Sequence, residues 1–235
     1  MNPADRIVVA LDYPDASSAL KLVNTLGESI SFYKIGLQLF TAEGTDVVRA
    51  IKERGKRVFL DLKFHDIPNT VAGAVASVSK LGVDMLTVHA GGGTAMMRAA
   101  VDAAAAGPLV LGVTVLTSIS AADLLTLGVT QTPAEYVHHL AQLASEAGCG
   151  GIVCSPEEVA AVREVIRPEM KTVVPGIRPA GAAAGDQARI ATPADAVARG
   201  ADYLVIGRPI TAAADPQSAV RDIVAELTSQ PAQIK

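Results

Sequence analysis

Short apolar runs alternate with amphipathic stretches from one end of this chain to the other, and that alternation constrains its fold more than any other property. Strand candidates stand at Ile7–Leu11, Phe32–Gly36, Val58–Leu62, Met85–His89, Leu109–Val115, Gly151–Cys154, Thr172–Val174 and Tyr203–Ile206. Between them the apolar residues recur at helical spacing, as in Ala16–Leu26, Thr45–Arg54, Val71–Leu81 and Pro133–Glu146. Several of these helices close in a glycine-containing turn, at Leu81-Gly82, Ala147-Gly148 and Arg199-Gly200. Eight β/α units with no linker or composition break predict one (β/α)8 barrel, a single α/β domain over residues 1–235. The alternative is a doubly wound open sheet. It is disfavoured because no Gly-rich dinucleotide fingerprint follows the first strand.

With 235 residues, half of them apolar, the chain can bury one large core. Tryptophan is absent and aromatic residues make up only 3%, so the core is expected to consist of Ala, Val, Leu and Ile. A net charge of −4 leaves no basic footprint for nucleic acid. No apolar run reaches membrane-spanning length, and Met-Asn-Pro-Ala-Asp-Arg at the N-terminus lacks a signal-peptide pattern. A soluble, cytoplasmic protein is the expectation. Cys149 and Cys154 lie in an Ala/Gly-rich apolar stretch without neighbouring histidines, which suits small buried hydrophobes better than metal ligands or a disulfide.

In such a barrel the chemistry belongs at the C-terminal ends of the strands. Those ends carry Asp12, Lys34, Asp61 with Lys63, His89, Thr117 with Ser118, Ser155, Pro175-Gly176-Ile177-Arg178 and Gly207-Arg208. The richest segment is Phe59–Thr70, Phe-Leu-Asp-Leu-Lys-Phe-His-Asp-Ile-Pro-Asn-Thr. Strand alternation sends Asp61 and Lys63 to one face, and Asp66 follows just past the strand end. Two carboxylates around one ammonium on an apolar strand are costly to bury unless they pair. A lone Asp-x-Lys reads as a structural ion pair. A strand terminus, a third charge, Ile-Pro and a fresh helix together point to an active site.

Gly207-Arg208-Pro209 closes the eighth strand and opens the last helix. Glycine permits close backbone approach, a helix start offers free N–H groups, and Arg208 offers a planar fork, a combination suited to phosphate. Pro175–Arg189 is long for a barrel connection and holds Arg178, Asp186, Gln187 and Arg189, as a lid closing on an anion would. Thr117 and Ser118 either meet a ligand or cap the helix that follows. His65 alternates away from Lys63 and suits a structural role. His89 suits either the site or a hydrogen-bonded core position, and His138 and His139 fall within a helical pattern.

Asp61-Leu-Lys63-Phe-His-Asp66-Ile-Pro-Asn-Thr70 resembles the signature of the orotidine 5′-phosphate decarboxylase family. Val9-Ala-Leu-Asp12, Lys34-Ile-Gly, Val113-Thr-Val-Leu-Thr117-Ser118, Pro175-Gly-Ile-Arg178-Pro, Gly185-Asp-Gln187 and Val205-Ile-Gly207-Arg208-Pro follow in the family's order, so the resemblance spans the chain. It implies decarboxylation of orotidine 5′-phosphate to UMP without metal or organic cofactor. Lys63 would protonate C6, Asp61 would sit beside the departing carboxylate, and Lys34 would complete an alternating Lys/Asp chain. Asp66 would reach into the partner's site, implying a homodimer. Asp12 and Lys34 would hold the ribose hydroxyls, and Thr117 and Ser118 would lie near the pyrimidine. Gln187, Gly207 and Arg208 would take the phosphate with Arg178 in the lid, and Ile67 and Thr70 of the signature would also contact substrate.

Two other readings compete. A related Mg²⁺-dependent phosphosugar enzyme would need an acidic ligand near the end of the second strand, where this chain has Lys34. A non-catalytic nucleotide sensor would be expected to lack Lys63 or one of its aspartates, and all are present.

Overall fold

The computed structural model describes residues 2–179 and 190–229. Eight parallel strands close on themselves in sequential order, with β8 hydrogen-bonded to β1. The strands are β1 (Ile7–Ala10), β2 (Phe32–Gly36), β3 (Arg57–Phe64), β4 (Met85–His89), β5 (Leu109–Val113), β6 (Gly151–Val153), β7 (Lys171–Val174) and β8 (Tyr203–Ile206). The helices between and after them are α1 (Ala16–Leu26), α2 (Leu37–Glu53), α3 (Pro68–Ser79), α4 (Gly93–Ala104) and α5 (Ala121–Thr126). They continue as α6 (Pro133–Glu146), α7 (Val159–Val165), α8 (Pro193–Ala198), α9 (Arg208–Thr211) and α10 (Pro216–Thr228). The (β/α)8 barrel expected from the alternation is the fold.

Each strand has two buried faces, which is why the strands read as short apolar runs rather than as polar/apolar alternation. One face packs outward, so that Ile7, Val9 and Leu11 meet helix residues such as Leu22, Val23 and Leu26. The other fills the lumen with Val8, Ala10, Phe32, Phe59, Met85 and Tyr203 among others. The outer layer is chiefly aliphatic as expected, although Tyr33 is fully buried in it. The lumen concentrates the scarce aromatics, and Phe32 meets Tyr203 edge-on with centroids 5.8 Å apart.

Local chemistry sets the element boundaries. Thr132 and Glu135 form a reciprocal capping box ahead of Pro133, and Ser120 and Asp123 do the same for α5. Thr117 and Ser118 are therefore not the cap of α5. Gly82, Gly148 and Gly200 take φ of 69°, 88° and 106°, the left-handed turns that end the preceding helices. Helix α2 starts eight residues before the expected Thr45, and its halves join across Gly44 at φ 62°. Strand β5 stops at Val113 rather than Val115 because the Thr114 hydroxyl and amide both turn to the Val153 carbonyl. Strand β3 runs to Phe64, past the expected Leu62, and its ladder with β4 shifts register between Leu60 and Phe64.

Candidate active site

The site is the next layer of the lumen. Two residues above Ala10, Phe32, Phe59, Met85 and Val205, the period of a strand brings Asp12, Lys34, Asp61, Thr87 and Gly207 to the barrel mouth. Lys34, on β2 and only 8% exposed, places its ammonium 3.0 Å from Asp12 Oδ1 and 3.8 Å from Asp61 Oδ2. Asp61 Oδ1 accepts from Lys63 Nζ at 2.8 Å and from the Thr87 hydroxyl at 3.0 Å. The order across the mouth is Asp12, Lys34, Asp61, Lys63, with opposite charges adjacent throughout. Gly36 leaves room for the Asp12–Lys34 pair, since a Cβ there would lie 2.9 Å from Lys34 Nζ and 3.4 Å from Asp12 Oδ1 and the ammonium would have to shift.

Lys63 meets Asp61 by a route that alternation does not describe. Its φ is 52°, and Ala105 is the other non-glycine residue with positive φ among those described. A side-chain-bearing residue in this conformation carries strain of about 1–2 kcal/mol. The ladder pairs Leu60 with Leu86 and then Phe64 with Val88, so β3 spends four residues where β4 spends two. The intervening bulge carries Asp61 and Lys63 into the mouth.

Asp66 stands apart from this chain of charges. Its Oδ1 accepts the Ile67 amide at 2.7 Å, and among the described residues it forms no ion pair with Lys63. The expected arrangement of two carboxylates around one ammonium is thus not met within a single chain. Residues 65–70 are all exposed, including Thr70, and Ile67 is 67% exposed. His65 is exposed and sits against His89, with ring centroids 5.5 Å apart. Half-buried at the end of β4, His89 has its pKa lowered, first by burial and then by the charges of His65 and Lys63, with Asp61 opposing.

Gly207 caps α9 at the end of β8, its carbonyl accepting the Ile210 and Thr211 amides at 2.8 and 3.0 Å. A Cβ on it would lie 3.9 Å from Asp12 Oδ2, so the Gly207-Arg208 corner adjoins the charged chain. Arg208 is exposed and Arg178 is buried, with Nη1 donating to the Ile177 carbonyl at 2.9 Å. The two ends of the long β7–α8 connection are tied together. The Arg178 amide donates to Ala191 O at 2.9 Å, and Ile177 and Ala191 form an isolated bridge. Asp186, Gln187 and Arg189 lie outside the described residues. Thr117 is half-buried and Ser118 exposed in the β5–α5 connection, on the rim of a cavity of about 550 Å³ that Thr132, His138 and Glu158 also line. Ser155, fully buried, donates its amide to Glu158 at 2.9 Å. Cys149 and Cys154 are buried free thiols, and burial pushes Cys149 up to about 12.

Of the residues read from sequence, the structure brings together Asp12, Lys34, Asp61, Lys63 and Gly207. Thr87 was missed. The signal was available, because β4 alternates Met85, Thr87, His89 and a fully buried threonine two residues above a lumen methionine belongs to the same layer.

A closed parallel barrel with linked ion pairs at the C-terminal ends of its strands defines a (β/α)8-barrel enzyme. Residues 5–223 match the model of the orotidine 5′-phosphate decarboxylase / HUMPS family, and the chain belongs to that family. It is 53% identical over 227 residues to an orotidine 5′-phosphate decarboxylase of Anaeromyxobacter sp. (strain K), covering 97% of this chain and all of the relative. It is 52% identical to that of Moorella thermoacetica, covering 97% and 94%. The crystal structure of the Lactobacillus acidophilus enzyme superposes with a TM-score of 0.84 at 38% identity, covering 96% of this chain and all of that one.

Proposed function

We propose that this protein decarboxylates orotidine 5′-phosphate to UMP and carbon dioxide, the last step of de novo pyrimidine synthesis, in the cytoplasm and without a cofactor. The observation that carries this reading is the Asp12–Lys34–Asp61–Lys63 chain on the family's signature strand. Loss of the carboxylate leaves a carbanion on an sp² ring carbon with no adjacent electron sink. Lys63, held 2.8 Å from Asp61, supplies a fixed positive charge where the negative charge develops and then the proton for C6. Asp61 lies beside the departing carboxylate. Lys34 supplies the cation between Asp12 and Asp61, which favours this reading over a Mg²⁺-dependent phosphosugar enzyme. Asp12 and Lys34 hold the ribose, Thr117, Ser118, Ile67 and Thr70 line the base, and Arg178, Gln187, Gly207 and Arg208 take the phosphate.

The exposed stretch around Asp66 favours a homodimer in which Asp66 completes the partner's site. Among the described residues it joins no ion pair, and the neighbouring Ile67 is left uncovered. Incubation with orotidine 5′-phosphate, followed by ultraviolet absorbance with and without EDTA, tests the activity. Turnover insensitive to EDTA is expected, and none at all would overturn the reading. For the dimer, Asp66→Ala and Lys63→Ala proteins should each be nearly inactive and should regain activity on subunit exchange. Demonstrated exchange without recovery would place Asp66 in its own subunit's site.

A further inference from the structure

We infer that Thr87 is a positioning residue for this reaction: its hydroxyl holds the Lys63 backbone and the Asp61 carboxylate in the one arrangement that aims the ammonium. The inference rests on the decarboxylase reading and adds to it a residue that touches neither the substrate nor the proton in flight.

The bulge in β3 removes Lys63 from the regular ladder with β4, and a buried amide left without an acceptor is costly. Thr87, fully buried on the facing strand, supplies that acceptor: its Oγ1 takes the Lys63 N–H at 2.9 Å. The same oxygen donates its proton to Asp61 Oδ1 at 3.0 Å. A hydroxyl has one proton to give, so donating to the carboxylate and accepting from the amide fixes its rotor. One side chain thus spans both ends of the Asp-x-Lys pair.

The consequence reaches the chemistry through Lys63. A left-handed backbone at a residue with a Cβ persists only where its surroundings hold it, and the Thr87–Lys63 hydrogen bond is one contact that does so. Without it, Lys63 can relax toward ordinary strand geometry and swing its ammonium out of the mouth. Asp61 would also lose the donor that keeps Oδ1 toward Lys63 and leaves Oδ2 toward Lys34. Substrate grip depends on other strand ends, so the loss belongs in kcat rather than in KM.

Thr87→Val keeps the shape and removes the hydroxyl, whereas Thr87→Ser keeps the hydroxyl and removes a methyl. The valine variant should lose about 10- to 100-fold in kcat with KM within about 3-fold of the parent, and serine should restore most of the loss. Amide exchange at Lys63 reports the same bond without any turnover, and it should be protected in the parent and serine proteins and exposed in the valine protein. Parental kcat in Thr87→Val, a serine variant no better than valine, or undiminished Lys63 protection in the valine protein would each overturn the inference. If Thr87→Val does not fold, Thr87→Ala against Thr87→Ser carries the same comparison. An inactive parent would instead overturn the decarboxylase reading itself, so the two failures are distinguishable.

Discussion

The two ends of this barrel both carry part-buried acid–base pairs, and they are built in opposite ways. At the N-terminal end, Asp84 stands just before β4 and accepts Lys52 Nζ and the Val58 amide, each at 2.8 Å. Four units later Asp202 stands just before β8 in the same role, accepting the Thr172 amide at 2.9 Å and pairing with Arg163. Arg163 also reaches the Gly200 carbonyl and, at 2.8 Å, the Met170 carbonyl. Both aspartates and Arg163 there are met by backbone as well as by their charged partners, so the pairs clip a strand start to a helix. At the C-terminal end, among the described residues, Lys63 Nζ meets Asp61 alone and Lys34 meets only Asp12 and Asp61. Charges closed by backbone serve the scaffold, and charges that meet chiefly one another are left with capacity for a ligand.

The largest effect that could break this contrast is at Lys63. Lys63→Ala should lower kcat by at least about 10²–10⁴-fold and leave stability close to the parent's, as befits a group the scaffold does not need. Lys63→Gly should be equally inactive yet more stable than Lys63→Ala by about 1 kcal/mol, because glycine adopts φ 52° without strain. Urea midpoints for the two variants check this. Equal midpoints would mean that the left-handed backbone at this position carries no cost.

Arg163 should behave in reverse. Arg163→Ala takes the cation from Asp202 and a donor from each of two carbonyls, which should cost about 2–3 kcal/mol of stability after allowance for partial exposure, with kcat and KM unchanged. A loss of kcat in folded Arg163→Ala protein would dissolve the distinction between the two ends.

Arg208 sharpens the assignment at the ligand end. Arg208→Ala should cost about 1.5–3 kcal/mol in kcat/KM toward orotidine 5′-phosphate and almost nothing toward orotidine, which lacks the phosphate. Free phosphite added with orotidine should help the parent more than the variant. Equal losses on both substrates would assign Arg208 to the fold or to the chemistry directly.

The sequence carried this division unevenly. The eight-unit alternation made the barrel legible, because both faces of every strand are buried, and the helical spacing of apolar residues over Pro133–Glu146 matched α6. The scaffold clips were equally present, as Gly82-Val-Asp84 and Gly200-Ala-Asp202, yet an aspartate before a strand reads as an ordinary loop residue until its backbone partners are seen. Asp61 and Lys63 were found, but through strand alternation that the bulge at β3 breaks. Two residues inserted against a neighbouring strand leave no mark in the apolar pattern, and so neither the positive φ of Lys63 nor the acceptor role of Thr87 could be read. Asp66 shows the converse. Its spacing suggested a place around Lys63 within the chain, and the turn at residues 65–67 carries it away.

The smallest expected effect tests whether the ligand end also costs the scaffold something, and it falls at His89. Burial and the neighbouring cations lower its pKa below the ordinary 6.5, so the folded protein holds it neutral. As pH falls through about 6.5, the unfolded chain takes up a proton that the folded one does not, and stability must fall with it. The loss ends once pH is below the folded value and both states are protonated. Above about 7.5 the group contributes no pH dependence. His89→Asn, which cannot titrate, should therefore lose less stability than the parent between about pH 7.5 and about pH 5, and the difference should shrink in His65→Asn protein, where one of the charges facing His89 is gone. Urea titrations at the two pH values measure it. Identical pH dependence in parent and His89→Asn would mean that His89 is as easily charged in the fold as in the open chain, despite lying between Lys63 and the β4 core.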